Sequence, residues 1–244
     1  MQAPRLVQGL SIQDAYINAL AALRDEGWET FNLVVHIEDP TAFDDAVHAR
    51  VVQLAADCGV KTPRQVAHTI FPEAQYRSSH DAAHLYQRYL DRFMPRYKKA
   101  MPNGAWGSYF GRLIGYERGD GTVNQLGDLI DAIKKSDRVW RAAHVMVVPY
   151  PGPETRRTRG APCLNYIAIQ LEPGNPPTVS MLAVYRNHTF VERAYGNYWG
   201  LANLLAFIAS ETGYGVGQLT CVSSHAQVEM RHPLVAEVLA EYGL

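Results

Sequence analysis

The segment APCL (residues 161–164) places a cysteine behind a proline, and VYRNHTFVERAYGN (residues 184–197) carries Arg186 and Asn197 eleven residues apart. A thiol that loses its proton is a soft nucleophile, and nearby cations favour that loss. Arg156, Arg157 and Arg159 precede Cys163 in one loop. A guanidinium can grip an anion through two parallel hydrogen bonds. An amide offers one acceptor and two donors, so it can read a donor–acceptor edge. A cysteine on one strand, an arginine on the next and an amide at the start of a long helix could share a pocket. Each also has an ordinary reading: Cys163 as a small buried apolar residue, Arg186 as an exposed edge-strand residue, Asn197 as a helix N-cap.

The surrounding pattern predicts the elements that would hold these groups. Residues 11–26 read as an amphipathic helix, with Ser11 as N-cap and Gly27 as stop. Residues 29–37 read as a strand. Pro40 and Thr41 are expected to open a helix over 42–57 that Gly59 ends. Residues 79–100 look helical with a break at Pro95, and 102–108 read as loop. In residues 122–135, Leu126, Leu129, Ile130 and Ile133 share one helical face. Strands are expected at 142–148, 163–171, 178–186 and 219–224. Helices are expected at 197–211 and 233–241. The strand after Cys163 should pair with the one leading to Arg186. The pattern is α+β: a mixed β-sheet packed with long helices.

The Pro-Cys pair and the Arg-to-Asn spacing resemble the nucleotide site of the thymidylate synthase family. The resemblance covers roughly residues 105–230 and implies that fold over a single domain, residues 1–244, with a homodimer packed sheet to sheet. It implies that Cys163 adds to C6 of a pyrimidine ring. Arg186 would bind the nucleotide phosphate and Asn197 would read the base, with Asn187 beside them as a further substrate contact. SDRVWRAAH (residues 136–144) resembles the family's Ser-Arg-Arg segment. Arg141 keeps the place that reaches the neighbouring subunit's phosphate, and Trp140 stands where the other arginine would be. Arg138 reads better as a solvated basic helix end. SSHAQVE (residues 223–229) resembles the family's Asp-X-His-X-Tyr segment. His225 fits the sugar-binding histidine, and Gln227 replaces the tyrosine. GSYFGRLI (residues 107–114) resembles the Tyr-Gly segment beside the nucleophile, with Phe110 in the tyrosine's place and Tyr109 or Tyr116 as alternative hydroxyl donors. The implied cofactor is 5,10-methylenetetrahydrofolate, and Trp106 and Trp199 are candidates to flank its pterin. The implied reaction is methyl or hydroxymethyl transfer to C5 of a pyrimidine nucleotide.

Some family features have no recognisable counterpart: the arginine-bearing phosphate loop and the active-site glutamate within residues 1–100, and the C-terminal tail. Those departures leave a second reading, a nucleotide-binding or regulatory protein without the chemistry. A third is a Cys-His hydrolase pairing Cys163 with His144, His188 or His225. His80 and His84, one helical turn apart, could hold a metal or form a solvated face. Lys and Arg total 23 against 24 Asp and Glu, which argues against a general nucleic-acid surface. Three widely spaced cysteines argue against a disulfide framework or zinc site and suggest a reducing, cytoplasmic setting. No apolar segment long enough to cross a membrane and no secretory signal pattern is expected.

Overall fold

A computed structural model describes residues 3–100, 106–136, 138–141, 144–152, 154, 156 and 160–244. Arg157 and Arg159 fall outside the described residues. The chain opens with β1 (Arg5–Gly9), α1 (Ile12–Asp25) and β2 (Glu29–Ile37). Helices α2 (Asp45–Asp57), α3 (Pro63–Ile70), α4 (Glu73–Arg77) and α5 (Ala82–Arg88) follow, and a π-helical turn (Tyr89–Phe93) leads into α6 (Met94–Ala100). Next come α7 (Tyr109–Ile114), the hairpin β3 (Tyr116–Arg118) and β4 (Gly121–Val123), and α8 (Gln125–Lys135). Strands β5 (His144–Val147), β6 (Leu164–Glu172), β7 (Thr178–Tyr185) and β8 (His188–Thr189) precede a second π-helical turn (Phe190–Ala194). That turn opens α9 (Tyr195–Thr212), before β9 (Gly215–Gln227) and α10 (His232–Glu241).

The main sheet runs β1-β2-β9-β7-β6-β5, with β8 also on β9. Strands β1 and β2 are parallel, as are β7 and β9, while β2–β9, β6–β7 and β5–β6 are antiparallel. This is the α+β architecture with a mixed sheet that the sequence predicts, and it is consistent with a thymidylate synthase-like fold. Period-two alternation sends Leu33, Val35, Ile37, Ile167, Ile169, Met181, Ala183, Leu219 and Cys221 into the core. Tyr16, Leu20 and Leu23 of α1 and Leu201, Leu204, Leu205 and Ile208 of α9 are buried with them. Each fully buried side chain of this size contributes about 1.5–3 kcal/mol.

Several elements differ from the sequence reading. Helix α2 starts at Asp45, because Asp44 accepts from the Ala46 and Val47 N–H groups while Asp39 takes the Thr41 N–H and hydroxyl. The expected 79–100 helix is divided by the π-helical turn, and Pro95 sits in the first turn of α6. Asn197 is not an N-cap: the π-helical turn starts the helical run before it, and its side chain is used elsewhere. Strand β9 begins at Gly215, four residues before the strand expected at 219–224. Strand β1 and helices α3, α4 and α7 were not expected at all. Helix α3 does carry a sequence signal, a capping box between Thr62 and Gln65 with Pro63 at the first position.

Helix α3 lies directly on α9, and two glycines allow it. A Cβ on Gly196 would sit 2.6 Å from Val66 Cβ and 2.7 Å from Pro63 O, and one on Gly200 would sit 2.8 Å from Ala67 O. That contact brings Val66 and Thr69 to the edge of the cavity described next.

Candidate active site

Cys163 and Asn197 line one cavity of about 310 Å3, together with Tyr109, Asn187, His188, Glu192 and Arg193. Lys61, Val66, Thr69, Tyr97 and Trp106 complete much of the wall. The sheet sets the cysteine. A register irregularity between Leu164 and Tyr166 leaves Asn165 as an extra residue just after Cys163, a device that re-aims a strand end. The Asn165 side-chain amide donates to Pro162 O at 3.2 Å, and the Arg186 N–H donates to Cys163 O at 2.9 Å. The expected pairing of the cysteine strand with the arginine strand is therefore present.

Burial pushes the Cys163 thiol above its ordinary value. The charge of Arg186 and its hydrogen bond to the thiol oppose that, with a smaller contribution from Arg193. Arg156, from the loop expected to activate the thiol, is exposed. The Tyr109 hydroxyl accepts the Cys163 N–H at 3.3 Å, and burial raises its own pKa. Of the aromatic alternatives, Tyr109 is thus the one beside the thiol. Phe110 instead packs in the core against Phe71 and Tyr89, because helix α7 turns neighbouring side chains about 100° apart. The Tyr116 hydroxyl donates to Pro149 O.

Asn197 is 3 % exposed, and its Nδ2 lies 2.9 Å from His188 Nε2. Asn187 presents Oδ1 to His225 Nδ1 at 2.7 Å. His225 stands behind Asn187, with Nε2 3.5 Å from a Glu29 carboxylate oxygen and its ring against Phe31. Among the described residues lining the cavity, neither His225, Gln227 nor Arg186 appears. Gln227 pairs with Thr189, which does line it. The Arg186 guanidinium hydrogen-bonds the Cys163 thiol and donates to Ala161 O at 3.5 Å, both residues of the cavity wall. Arg141 and Arg138 are exposed and are not among the described residues lining the cavity.

Sequence reasoning missed Lys61, Glu192 and Arg193, and named His188 only as a hydrolase partner for Cys163. Glu192 and Arg193 form an ion pair at 2.7 Å in the π-helical turn that enters α9. Such turns recur at functional sites. Glu229 holds this turn by accepting the Val191 and Glu192 N–H groups at 3.2 and 2.7 Å. For Glu192 and Arg193 the only signal was their place inside the Arg186–Asn197 segment, and Lys61 carried none.

The hydrolase reading loses its geometry. His188 gives its two nitrogens to Ser223 and Asn197, and His225 gives Nδ1 to Asn187. His144 pairs in register with Ile169, far along β6 from Cys163. His80 and His84 stack at 5.1 Å, and no group of three potential metal ligands occurs among the described residues. Trp106 lines the cavity, whereas Trp199 joins His48 and Phe43 in a separate aromatic cluster. No helix among the described residues is long and apolar enough to cross a membrane.

No protein-family model matches the chain. It is similar to a Methanosarcina mazei protein named "Putative thymidylate synthase", 28% identical over 109 residues, covering 45% of this chain and 48% of the relative. A Methanosarcina acetivorans protein of the same name is 27% identical over 106 residues, covering 43% and 46%. The chain thus spans about half the length of the curated relatives it matches. That similarity supports a thymidylate synthase-like relationship at the level of family.

Proposed function

We propose that this protein transfers a one-carbon unit, methyl or hydroxymethyl, to C5 of a pyrimidine nucleotide. The observation that carries the reading is the convergence of Cys163, Asn197 and the cation Arg193 on one cavity, with Arg186 at the back of the thiol. The similarity to the two archaeal proteins supports the same class of chemistry.

In this reading the Cys163 thiol loses its proton, helped by Arg186 against the cost of burial. Its sulfur forms a bond to C6 of the ring. The C5=C6 electrons then shift toward C4 and O4, and a donor from Asn197 stabilises the charge that builds there. C5 becomes the nucleophile. Once C5 has gained its new carbon and lost its proton, the C6–S bond breaks and the thiolate returns. Glu192, a carboxylate on the same wall, is placed to move protons during these steps. It offers the acid–base group that the sequence reading failed to find in residues 1–100. Arg186 and Arg193 hold the phosphate, and His225, acting through Asn187, positions a sugar hydroxyl.

The residues also fit 5,10-methylenetetrahydrofolate. A second cavity of about 350 Å3 adjoins the first, sharing Lys61, Thr69 and Tyr97 with it, and is walled by His68, Tyr89 and Phe93. Its aromatic walls suit a flat pterin ring, and Lys61 and Arg64 at its rim suit an anionic tail. When bound, the folate supplies the one-carbon unit. A methyl product would also take a hydride from it, whereas a hydroxymethyl product would take water instead.

The subunit arrangement we propose is a homodimer through the open face of the sheet. Leu6, Val34, Val222, Val184, Tyr166 and Val147 are consecutive register partners across the whole sheet. They form an apolar stripe on the face opposite α1 and α9, and Leu6 and Val147 are 61% and 40% exposed. A second copy covering this stripe would bring exposed Arg141, at the β5 edge, toward its partner. The setting we propose is cytoplasmic, where Cys163 stays reduced.

The activity is tested with pyrimidine nucleotides tritiated at C5. With methylenetetrahydrofolate, the protein should release tritium from UMP or dUMP, and Cys163→Ala should abolish release. No release from UMP, dUMP, CMP or dCMP contradicts the reading.

A further inference from the structure

One buried polar chain among the described residues is not needed by the reaction above. His188 Nε2 meets Asn197 Nδ2 at 2.9 Å, and His188 Nδ1 meets Ser223 Oγ at 3.0 Å. All three side chains are buried. The imidazole is stacked on Tyr185, with centroids 4.2 Å apart and planes 5° from parallel, and the Tyr198 ring stands edge-on to it at 5.6 Å. The ring therefore has no room to turn. Burial also drives its pKa down to about 3, so it stays neutral near pH 7.

A neutral imidazole has one donor and one acceptor. An amide nitrogen facing Nε2 makes Nε2 the acceptor, which puts the ring proton on Nδ1, donated to Ser223 Oγ. One Asn197 N–H is then used. Its Oδ1 and second N–H are left for a ligand, in a fixed spatial order. Uracil and cytosine differ in that order: N3–H and O4 in one, N3 and the 4-amino group in the other. A free amide could turn over and accept either base. Turning Asn197 here would set Oδ1 against the Nε2 lone pair unless the ring proton also moved.

We propose that His188 is a positioning residue for base choice: through the Ser223–His188–Asn197 chain it fixes the face that Asn197 shows to the pyrimidine. The inference rests on Asn197 being the base reader.

The test compares binding of UMP, dUMP, CMP and dCMP to wild type, His188→Phe, His188→Gln and Asn197→Asp. Phe keeps the stacking and removes both hydrogen bonds, while Gln can restore one to Asn197. The uracil-to-cytosine affinity ratio should fall about tenfold in His188→Phe, the discrimination of one hydrogen bond, and recover in part in His188→Gln. Phosphate-dependent binding should persist in both. An unchanged ratio in folded His188→Phe overturns the inference while leaving the proposed reaction intact. An unchanged ratio in Asn197→Asp removes the base-reading role itself. Nitrogen-15 NMR of wild type gives a readout independent of any variant's folding: the His188 ring should be neutral with its proton on Nδ1. A proton on Nε2, or on both nitrogens, overturns the inference.

Discussion

In the proposed reaction Cys163 gives up a proton where burial opposes ionisation, and Arg186 is the main group working in the other direction. Arg186 thus has two tasks in this account, supporting the thiolate and holding the phosphate. Arg186→Ala should weaken nucleotide binding by about 1.5–3 kcal/mol, the range of a hydrogen bond to a charged group, and leave nucleoside binding nearly unchanged. Titration calorimetry with UMP and uridine, or their deoxy forms, measures this. The same change should move alkylation of the thiol by iodoacetamide to higher pH, since the lost charge had lowered its pKa. Equal losses for nucleotide and nucleoside would assign Arg186 a structural role. Cys163, Asn187 and Asn197 were legible because their order and spacing survive across two short segments, 161–164 and 184–197. The sequence offered His188 only as a hydrolase partner and did not show Arg193 at all, because their places depend on which side of a turn they face.

At the scale of elements, the π-helical turn from Phe190 to Ala194 decides the site. Its extra residue per turn lets Glu192 and Arg193 line the same cavity as Asn197, in the helix that follows. Glu229, at the end of β9, satisfies two of the free N–H groups at this helix start. Glu229→Ala should therefore cost about 1–3 kcal/mol of stability, as expected for unpaired buried donors, and should lower turnover more than a distant change of equal cost. Urea unfolding together with the tritium-release assay separates the two effects. Strands and helices with strong periodicity, such as β2 and α8, were readable from the sequence. The π-helical turns were not, because apolar spacing over five residues does not distinguish them from an α-helix. Strand β1 was also hidden: it is short and gains its place only by pairing with β2.

At the scale of the whole molecule, the proposed homodimer rests on the apolar stripe of the sheet's open face. The stripe crosses six strands from both halves of the chain, so no local pattern announced it, although every one of those strands except β1 was expected. Val184→Asp and Val222→Asp should each shift the protein toward monomer in sedimentation experiments and reduce activity, while near-native circular dichroism is kept. If both copies contribute to each site, mixing inactive Cys163→Ala with inactive Arg141→Ala chains should restore some activity. Full activity in a monomeric Val184→Asp protein would rule out a shared site.

The central claim is covalent catalysis by Cys163, and trapping its adduct tests that most directly. Incubation with a 5-fluoropyrimidine nucleotide and methylenetetrahydrofolate, followed by proteolysis and mass spectrometry, should show a mass increase on the peptide containing Cys163 and none in Cys163→Ala. A fluorine at C5 cannot leave as a proton does, so the bond from sulfur to C6 should persist. An adduct on Cys58 or Cys221, or a nucleotide that binds without ever becoming covalent, would contradict the account.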